Sequence, residues 1–157
     1  MFHVRQGTGN DAQHVIDIDI KCYDEPWSPE YWRVAGLDFI INVVTYYGTP
    51  VGMSVFTSAE EADGPKFVSL LKVAVKPMFR KKGLSRMLLE PMDKYAEQIK
   101  AESIWATIPE SLCSGEHSIA GWALKVGFKA TAIQKNYYAV LGDLEDGYIF
   151  RKPVRAT

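Results

Sequence analysis

Four basic residues and one glycine lie within seven positions of each other, at Arg80, Lys81, Lys82, Gly83 and Arg86. They follow an apolar segment that a proline ends, and a segment with helical spacing of apolar residues comes next, so we expect a strand, a basic turn and a helix. The first amide groups of a helix lack intrahelical partners and carry a partial positive charge. Gly83 has no Cβ to keep an anion away from the backbone. This segment therefore predicts a site for a pyrophosphate or a similar polyanion.

Two common phosphate-binding motifs do not occur in the sequence. It contains no GxxxxGK[ST] and no GxGxxG, so neither a P-loop nucleotide hydrolase nor a Rossmann dinucleotide site is supported. The simpler alternative for the basic segment is a solvated turn, because runs of charge usually lie on the surface. The 157 residues include 18 Lys and Arg against 19 Asp and Glu, a net charge of −1. This balance argues against a nucleic-acid partner, and any anion site must come from local clustering.

The cysteines and the apolar runs indicate the class of protein. Cys22 and Cys113 are far apart, without CxxC or zinc-ligand spacing, so we expect reduced thiols and no metal site. No apolar run approaches the roughly 20 residues that span a bilayer. The first residues lack the apolar core of a signal peptide. We expect a cytoplasmic monomer or homodimer that binds neither membrane nor nucleic acid.

The order of predicted elements indicates one mixed α+β domain over residues 1–157. In chain order we expect a strand at Phe2–Arg5, a helix from a cap at Asn10 or Asp11 to Cys22, a helix opened by Ser28-Pro29, a hairpin of Phe39–Tyr46 and Val51–Phe56 with its turn at Gly48-Thr49-Pro50, a polar loop at Ser58–Pro65, a strand at Phe67–Val75, a helix at Leu84–Ile99, a strand at Ile104–Ile108, a helix at Glu116–Val126 ended by Gly127, and strands at Phe128–Tyr138 and Tyr148–Lys152. Pro91 should cost the third helix a hydrogen bond or introduce a kink. The order is βααβββαβαββ.

The basic segment also carries a family resemblance. Arg80-Lys81-Lys82-Gly83-Leu84-Ser85 resembles the Q/R-x-x-G-x-G/A signature of the GNAT N-acetyltransferases, and Val73-Ala74-Val75 resembles the strand before it. The resemblance implies the GNAT acyl-CoA N-acyltransferase fold, with direct transfer of an acetyl group from acetyl-CoA to an amine and no metal. In that family the turn holds the coenzyme A pyrophosphate, and the strand backbone pairs with the pantetheine arm. The coenzyme-binding residues so implied are Val73, Ala74, Val75, Arg80, Lys81, Lys82, Gly83, Leu84, Ser85 and Arg86.

Two further segments resemble one branch of that family. Glu25-Pro26-Trp27-Ser28 resembles the PWS segment of bacterial ribosomal-protein N-terminal alanine acetyltransferases. Gly127-Phe128, followed after seven residues by Asn136-Tyr137-Tyr138, resembles their GF…NYY spacing. The resemblance implies a protein or peptide α-amine as acceptor, bound by Trp27, Tyr31 and Tyr137. The alternative for these aromatic residues is packing in the core or the strands.

The family's catalytic pair does not carry over to this sequence. The position of its general-base glutamate corresponds to Thr107, and that of its general-acid tyrosine corresponds to Ala123. Our candidates for catalysis are Thr107 through a bound water, Glu110 as a base, with Glu116 or His117 as alternatives, and Tyr138 as a proton donor to the leaving thiolate. Each has the simpler alternative of a polar loop or surface residue. Cys113 is disfavoured as a nucleophile, because no oriented Cys–His–carboxylate set can be read from the sequence.

How much the missing glutamate and tyrosine matter depends on the pKa of the acceptor amine. An α-amine with a pKa of about 8 is already partly neutral at pH 7.5. A lysine amine with a pKa of about 10.4 is almost fully protonated, and its deprotonation at this pH costs roughly 4 kcal/mol. The absence of a glutamate base is therefore more tolerable for an α-amine. Two alternatives remain open. One is acetylation of a small amine drawn by the acidic segment Glu60–Asp63. The other is a coenzyme A-binding module without chemistry, which Thr107 and Ala123 favour.

Overall fold

A computed structural model describes residues 1–23, 26–60, 64–109, 123–140 and 143–154 of the chain. In chain order its strands and helices are β1 Phe2–Gln6, α1 Ala12–Cys22, α2 Pro29–Ala35, β2 Ile40–Tyr46, β3 Thr49–Glu60, β4 Lys66–Val75, α3 Leu84–Gln98, β5 Ser103–Pro109, β6 Lys129–Val140 and β7 Asp143–Pro153. Short 3₁₀ turns precede α1 at Gly9–Asp11 and follow β4 at Pro77–Phe79. Within these ranges, no helix has the length and apolar character needed to cross a membrane.

The strands form one seven-stranded sheet in the order β1-β2-β3-β4-β5-β7-β6. Antiparallel pairing joins β1 to β2, β2 to β3, β5 to β7 and β6 to β7. This mixed sheet with flanking helices confirms the predicted α+β class. The residues group into two compact units, the first of Met1–Thr57 and Leu70–Tyr95, the second of Ser58–Ser69 and Ala96–Thr157. The single domain over 1–157 stays a prediction.

The start of α1 differs from the predicted cap. Asp11 is the residue before the helix, but its carboxylate makes no bond to the helix amides. It accepts instead from the Thr8 N–H at 2.8 Å and from both terminal nitrogens of Arg5 at 2.7 and 2.8 Å. The Arg5 guanidinium lowers the pKa of Asp11 to about 2. Since the folded pKa is depressed, this pair stabilises the fold above about pH 4 and its contribution is lost as the pH falls towards 2.

The second helix and the hairpin follow local sequence signals with one shift. Ser28 Oγ accepts from the Tyr31 N–H at 3.2 Å ahead of Pro29, which confirms the predicted opening of α2. The predicted turn at Gly48-Thr49-Pro50 is wrong, because the turn is Tyr47-Gly48, with φ of 48° and 88°, and Thr49 already pairs with Tyr46. The predicted polar loop also begins too early, since β3 continues through Ser58 to Glu60.

The third and last helices match their predictions over the residues that the structure describes. Helix α3 contains Pro91 in its interior and continues to Gln98. Residues 123–125 have helical backbone, and Gly127 follows at φ 104°, as expected of a residue that ends a helix. The rest of the predicted last helix lies outside the described residues.

The core of the first unit lies on both faces of its strands. One apolar cluster packs α1 and α2 on the sheet, and its buried members are Val15, Ile16, Ile18, Trp32, Ala35, Val43, Met53, Val55 and Ala74. A second cluster packs α3 on the sheet, and its buried members are Val44, Val51, Val75, Leu84 and Leu88. Neighbouring residues such as Val43 and Val44 enter different clusters because successive side chains of a strand point to opposite faces.

Gly52 of β3 lies where the second cluster has no room for a side chain. A Cβ at this position would lie 2.8 Å from Val44 Cγ1 and 2.9 Å from the Ala74 carbonyl oxygen. A backbone oxygen cannot move aside as a flexible side chain can. The glycine is therefore required by close packing.

In the second unit, the sheet face carries a stack of rings and a guanidinium. The Phe67 ring stacks on Trp105 with centroids 4.1 Å apart, and Arg151 Cζ lies 3.9 Å from the Trp105 centroid. Ile104 and Ala106 alternate with Trp105 along β5 and are buried. This alternation fixes the register of β5 against β7.

We expect Gly52→Ala to lower the free energy of unfolding by about 1–3 kcal/mol, because the added methyl group overpacks the contact with Val44 and Ala74. Gly36→Ala is the matched control, since its φ is −64° and an added Cβ meets nothing within 4 Å among the described residues. Urea denaturation of both variants measures the difference. Equal midpoints for the two would contradict this account of Gly52.

Candidate functional site

The basic turn between β4 and α3 is held at both ends by apolar contacts. Phe79 precedes it, with its ring 6.2 Å from Phe2 and 5.4 Å from Tyr46, centroid to centroid. Leu84 follows it and is only 2% exposed, inside the second apolar cluster. The residues between them, 80–83, are exposed. The sequence therefore fixes where the turn lies while leaving its backbone and charges accessible to a ligand.

Gly83 has the backbone conformation that the predicted anion site requires. Its φ is +77°, in the left-handed region that favours glycine, and a Cβ there would project into open space among the described residues. The Met87 N–H donates to the Gly83 carbonyl at 3.3 Å, so α3 begins here. The amides of its first turn, at Leu84, Ser85 and Arg86, precede that first helical bond and can face an anion.

The four basic side chains of this turn do not have equal roles. Arg80 Nε donates to the Val75 carbonyl at 3.0 Å, and one of its terminal nitrogens lies 3.7 Å from Cys22 Sγ. Arg80 thereby ties the turn to the end of β4 and to α1. Lys81, Lys82 and Arg86 are exposed around Gly83. The geometry fits a polyanion such as a pyrophosphate, with Arg80 as the residue that positions the turn.

The edge of β4 at Val73 is occupied by a hydroxyl group. Tyr23 Oη donates to the Val73 carbonyl at 2.9 Å and accepts from the Val73 N–H at 3.1 Å. Burial raises the pKa of Tyr23 to about 12, and the nearby Asp19 and Cys22 add to the rise. The phenol is therefore protonated over the whole physiological range. Val73 is the first residue of the strand segment that the GNAT resemblance assigns to the pantetheine arm.

A buried ion pair lies beside this tyrosine. Lys72 Nζ is 2.6 Å from Asp19 Oδ1, with side chains 6% and 0% exposed. The other Asp19 oxygen accepts from the Trp27 N–H and from the Trp32 indole N–H, both at 2.8 Å. Burial lowers the pKa of Lys72, and the hydrogen bond to Asp19 opposes that shift. Through these three donors the carboxylate joins α1 to β4, to the segment before α2 and to α2 itself.

Sequence reasoning missed both members of this pair. A signal for each is nevertheless present. Asp19 follows Val15 and Ile18 on the apolar side of α1, and Lys72 alternates with the buried Leu70 and Ala74 along β4. Where the repeat of apolar residues along a helix or strand predicts a buried position and the residue there is charged, we expect a buried partner of opposite charge.

Trp27 and Tyr31, predicted to bind the acceptor, lie in one aromatic cluster. Their ring centroids are 4.8 Å apart at 85°, and Trp27 also contacts Trp32 at 4.7 Å and Phe39 at 5.8 Å. Tyr31 is 41% exposed, whereas Trp32 is buried. Lys72 Nζ lies 4.7 Å from the Trp27 centroid and 4.3 Å from that of Tyr23. The cluster therefore has one exposed side and one side fixed by the buried pair.

Of the predicted catalytic residues, the structure describes the strand positions of Thr107 and Tyr138. Thr107 lies on β5 with its backbone opposite Ile149. Tyr138 lies on β6 opposite Glu145, and Tyr137 precedes it on the same strand. Glu110, like Glu116, His117 and Cys113, lies outside the residues that the structure describes. Their roles stay predictions. Among the residues described, no three His, Cys, Asp or Glu side chains come together as metal ligands.

Comparison with known protein families identifies the family to which this strand, turn and helix belong. The model of the acetyltransferase (GNAT) family matches residues 12–128, which include β4, the basic turn and α3. The chain belongs to the GNAT family. This confirms the resemblance drawn from Arg80–Ser85 and with it the expected fold.

One relative of this GNAT chain is an alanine N-acetyltransferase that acts on a ribosomal protein. Ribosomal protein bS18-alanine N-acetyltransferase of Salmonella typhimurium is 33% identical over 86 residues. That alignment spans 55% of this chain and 55% of the relative, so the match covers about half of the relative's length.

Solved structures share the fold over nearly the whole chain. The ribosomal-protein-S18-alanine N-acetyltransferase of Escherichia coli has a TM-score of 0.77 at 22% identity, covering 100% of this chain and 96% of that one. Arabidopsis thaliana NAA60, in complex with acetyl-CoA, has a TM-score of 0.83 at 13% identity, covering 98% and 99%. At these identities the likeness shows the fold.

We expect Asp19→Asn and Lys72→Met each to lower the free energy of unfolding by about 3 kcal/mol, because either change leaves a buried group without its partner. The double variant should lose less than the sum of the two, since neither charge is then buried alone. Urea denaturation of the four proteins gives the coupling.

Lys94→Met is the control for this cycle, because Lys94 pairs with Glu90 on the exposed surface of α3 at 3.4 Å. Its effect should stay within about 0.5 kcal/mol. Additive effects of the two buried changes would contradict the assignment of a coupled pair.

Proposed function

We propose that this protein is an acetyl-CoA-dependent N-acetyltransferase whose acceptor is the α-amine of a protein or peptide. The observation that carries the proposal is the turn at Gly83, where a left-handed glycine, a helix start and exposed basic side chains meet directly after β4. This combination fits the pyrophosphate of coenzyme A. Arabidopsis NAA60, which shares the fold, is in complex with acetyl-CoA in its crystal structure.

Each residue of the turn has a distinct part in this proposal. The amides of Leu84 and Ser85 donate to the pyrophosphate, and Lys81, Lys82 and Arg86 supply charge around it. Arg80 orients the turn through its bond to the Val75 carbonyl. Val73, Ala74 and Val75 offer strand backbone to the pantetheine arm, which carries the acetyl group as a thioester.

The acceptor side of the proposal rests on the aromatic cluster and on the chemistry of amines. Trp27 and Tyr31 form a partly exposed apolar surface whose position the buried Asp19 fixes. The Salmonella relative, at 33% identity over 86 residues, acts on the alanine of a ribosomal protein. An α-amine is already partly neutral near pH 7.5, so it needs less help from a base than lysine does. These features support an α-amine as the acceptor.

The proposed reaction depends on the orientation of the amine towards the thioester and on polarisation of the thioester carbonyl. The amine nitrogen attacks the thioester carbonyl directly, and backbone N–H groups of the strand polarise that carbonyl. Thr107 and Glu110 remain the proposed sources of a proton relay, and Tyr138 a proposed donor to the thiolate. The proposal includes a cytoplasmic location, because Cys22 is a free thiol, as is typical of reducing compartments.

A second candidate function is a GNAT module that binds coenzyme A without chemistry. Ala123 favours it, because this residue is 0% exposed and occupies the position where the family carries its acid tyrosine. The small-amine alternative has less support. Glu60, one of the acidic residues proposed to attract a cationic acceptor, lies 3.7 Å from Lys66 Nζ, so a positive charge already lies beside it.

We expect the protein to release coenzyme A thiol from acetyl-CoA in the presence of peptides with a free N-terminus. The same peptides with a blocked N-terminus and an internal lysine should react at least about 100-fold more slowly at pH 7.5, because the lysine amine is mostly protonated. Thiol detection on both peptide sets, with a polyamine as a third acceptor, measures the preference. Calorimetric binding of acetyl-CoA without turnover on any acceptor would select the silent module instead.

We expect Gly83→Glu to abolish binding of acetyl-CoA, because it places bulk and negative charge at the proposed pyrophosphate position. Gly48→Glu is the matched control. Gly48 has φ +88° and open space at its Cβ, as Gly83 has, but lies in the β2–β3 turn. Both variants strain the backbone alike. A difference in their affinity for acetyl-CoA, measured by calorimetry, therefore reports on the binding site and not on strain. Retained affinity in Gly83→Glu would exclude the turn as the coenzyme site.

A further inference from the structure

The hydroxyl of Tyr23 is hydrogen-bonded to both backbone groups of one residue on β4. It donates to the Val73 carbonyl at 2.9 Å and accepts from the Val73 N–H at 3.1 Å. Burial raises the pKa of Tyr23 to about 12, so the hydroxyl keeps the proton that it donates. Buried backbone groups need hydrogen-bond partners. In this structure one phenol supplies both partners of Val73.

The two side chains on this edge of β4 are held with different strength. Arg80 Nε donates to the Val75 carbonyl at 3.0 Å, and a guanidinium forms a charge-assisted hydrogen bond. The bonds between Tyr23 and Val73 join neutral groups and are weaker. A shift of the Tyr23 hydroxyl by roughly 1 Å takes it out of hydrogen-bond distance of the Val73 N–H. A ligand on this edge therefore displaces Tyr23 more easily than Arg80.

Under the proposed function, on which this inference rests, the acyl end of the coenzyme reaches Val73. The pyrophosphate lies at Gly83, after β4, so the arm runs back along the strand and its thioester lies farthest from the turn. Of Val73, Ala74 and Val75, the first is the farthest from Gly83 along the chain. The thioester carbonyl needs the N–H that Tyr23 holds, and one N–H does not donate at full strength to two oxygens.

We propose that Tyr23 is a specificity-determining residue, which competes with the acyl carbonyl for the Val73 N–H and so sets the affinity for acetyl-CoA relative to that for free coenzyme A. Acetyl-CoA must break the bond between this N–H and the phenol. Free coenzyme A ends in a thiol, has no acyl carbonyl and leaves that bond intact. Specificity is a difference of two affinities, and the phenol lowers only one of them. The Val73 N–H thus has a partner both before and after the acetyl group is transferred.

Two contacts limit the movement of Tyr23 to the hydroxyl end of its ring. The Tyr23 N–H donates to the Asp19 carbonyl at 2.9 Å, which holds the backbone at the end of α1. Lys72 Nζ lies 4.3 Å from the centroid of the ring, and the Asp19 carboxylate fixes that ammonium at 2.6 Å. The attraction between a cation and an aromatic face keeps the ring beside β4. The hydroxyl therefore returns to Val73 when the acyl carbonyl leaves.

Tyr23→Phe tests the competition, because it removes only the hydroxyl. We expect acetyl-CoA to bind about two- to ten-fold more tightly by calorimetry, the range set by one ordinary hydrogen bond. Free coenzyme A and S-ethyl-coenzyme A should bind with unchanged affinity. In S-ethyl-coenzyme A a methylene group replaces the acyl carbonyl at the same chain length, so its comparison with acetyl-CoA isolates the carbonyl oxygen.

Tyr47→Phe is the matched control, since Tyr47 is 77% exposed in the β2–β3 turn and undergoes the same chemical change. It should bind all three ligands as the wild type does. A second measurement keeps the hydroxyl and does not depend on the stability of Tyr23→Phe. With Tyr23 replaced by 3-fluorotyrosine, the fluorine resonance should shift more with acetyl-CoA than with S-ethyl-coenzyme A, because only the thioester displaces the hydroxyl.

Equal effects of Tyr23→Phe on acetyl-CoA and on S-ethyl-coenzyme A, no effect on either included, would overturn the competition. A fluorine resonance that responds alike to the two ligands would also overturn it. A wild-type protein that binds none of the three ligands would overturn the proposed coenzyme site and this inference with it. Binding of acetyl-CoA without turnover would overturn the proposed enzymatic function alone, because the competition is measured without an acceptor.

Discussion

The structure of the first unit depends on one carboxylate that has no access to solvent. Asp19 accepts from Lys72, from the Trp27 backbone and from the Trp32 indole. A buried carboxylate costs several kcal/mol unless its oxygens are bonded, so these three donors are held together as a set. Because they come from β4, from the segment before α2 and from α2 itself, this single charge constrains how these elements can be arranged.

This constraint links the two halves of the proposed site within one unit. Lys72 points into the aromatic cluster of α2, while the next residue, Val73, offers its backbone to Tyr23. Successive residues of β4 thus contact the proposed acceptor surface and the proposed coenzyme strand segment. Since the Lys72 ammonium contacts the rings of both Tyr23 and Trp27, a shift of one ring changes the electrostatic environment of the other.

Local chemistry made much of the fold predictable from the sequence. Ser28-Pro29 opens α2, Gly83 precedes α3 at positive φ, and Gly127 ends the last helix, because each depends on its own residue and its neighbours. The pair Asp19–Lys72 spans 53 positions, and only tertiary packing brings the two charges together. The turn at Tyr47-Gly48 was missed for a similar reason, since the register of β2 against β3 forces Tyr47 to positive φ against its own preference.

The same distinction explains why the family motif predicted a glycine turn that the structure contains at Gly83, whereas the catalytic residues stay predictions. A turn that binds a pyrophosphate uses backbone amides and a glycine, and such a signature survives in a short run of sequence. A proton donor needs only one phenol at the right point in space, and any element that reaches that point can supply it. In this chain the position that corresponds to the family's tyrosine holds the buried Ala123, so a donor would come from another element. Which element supplies it depends on tertiary packing, which a short motif does not encode.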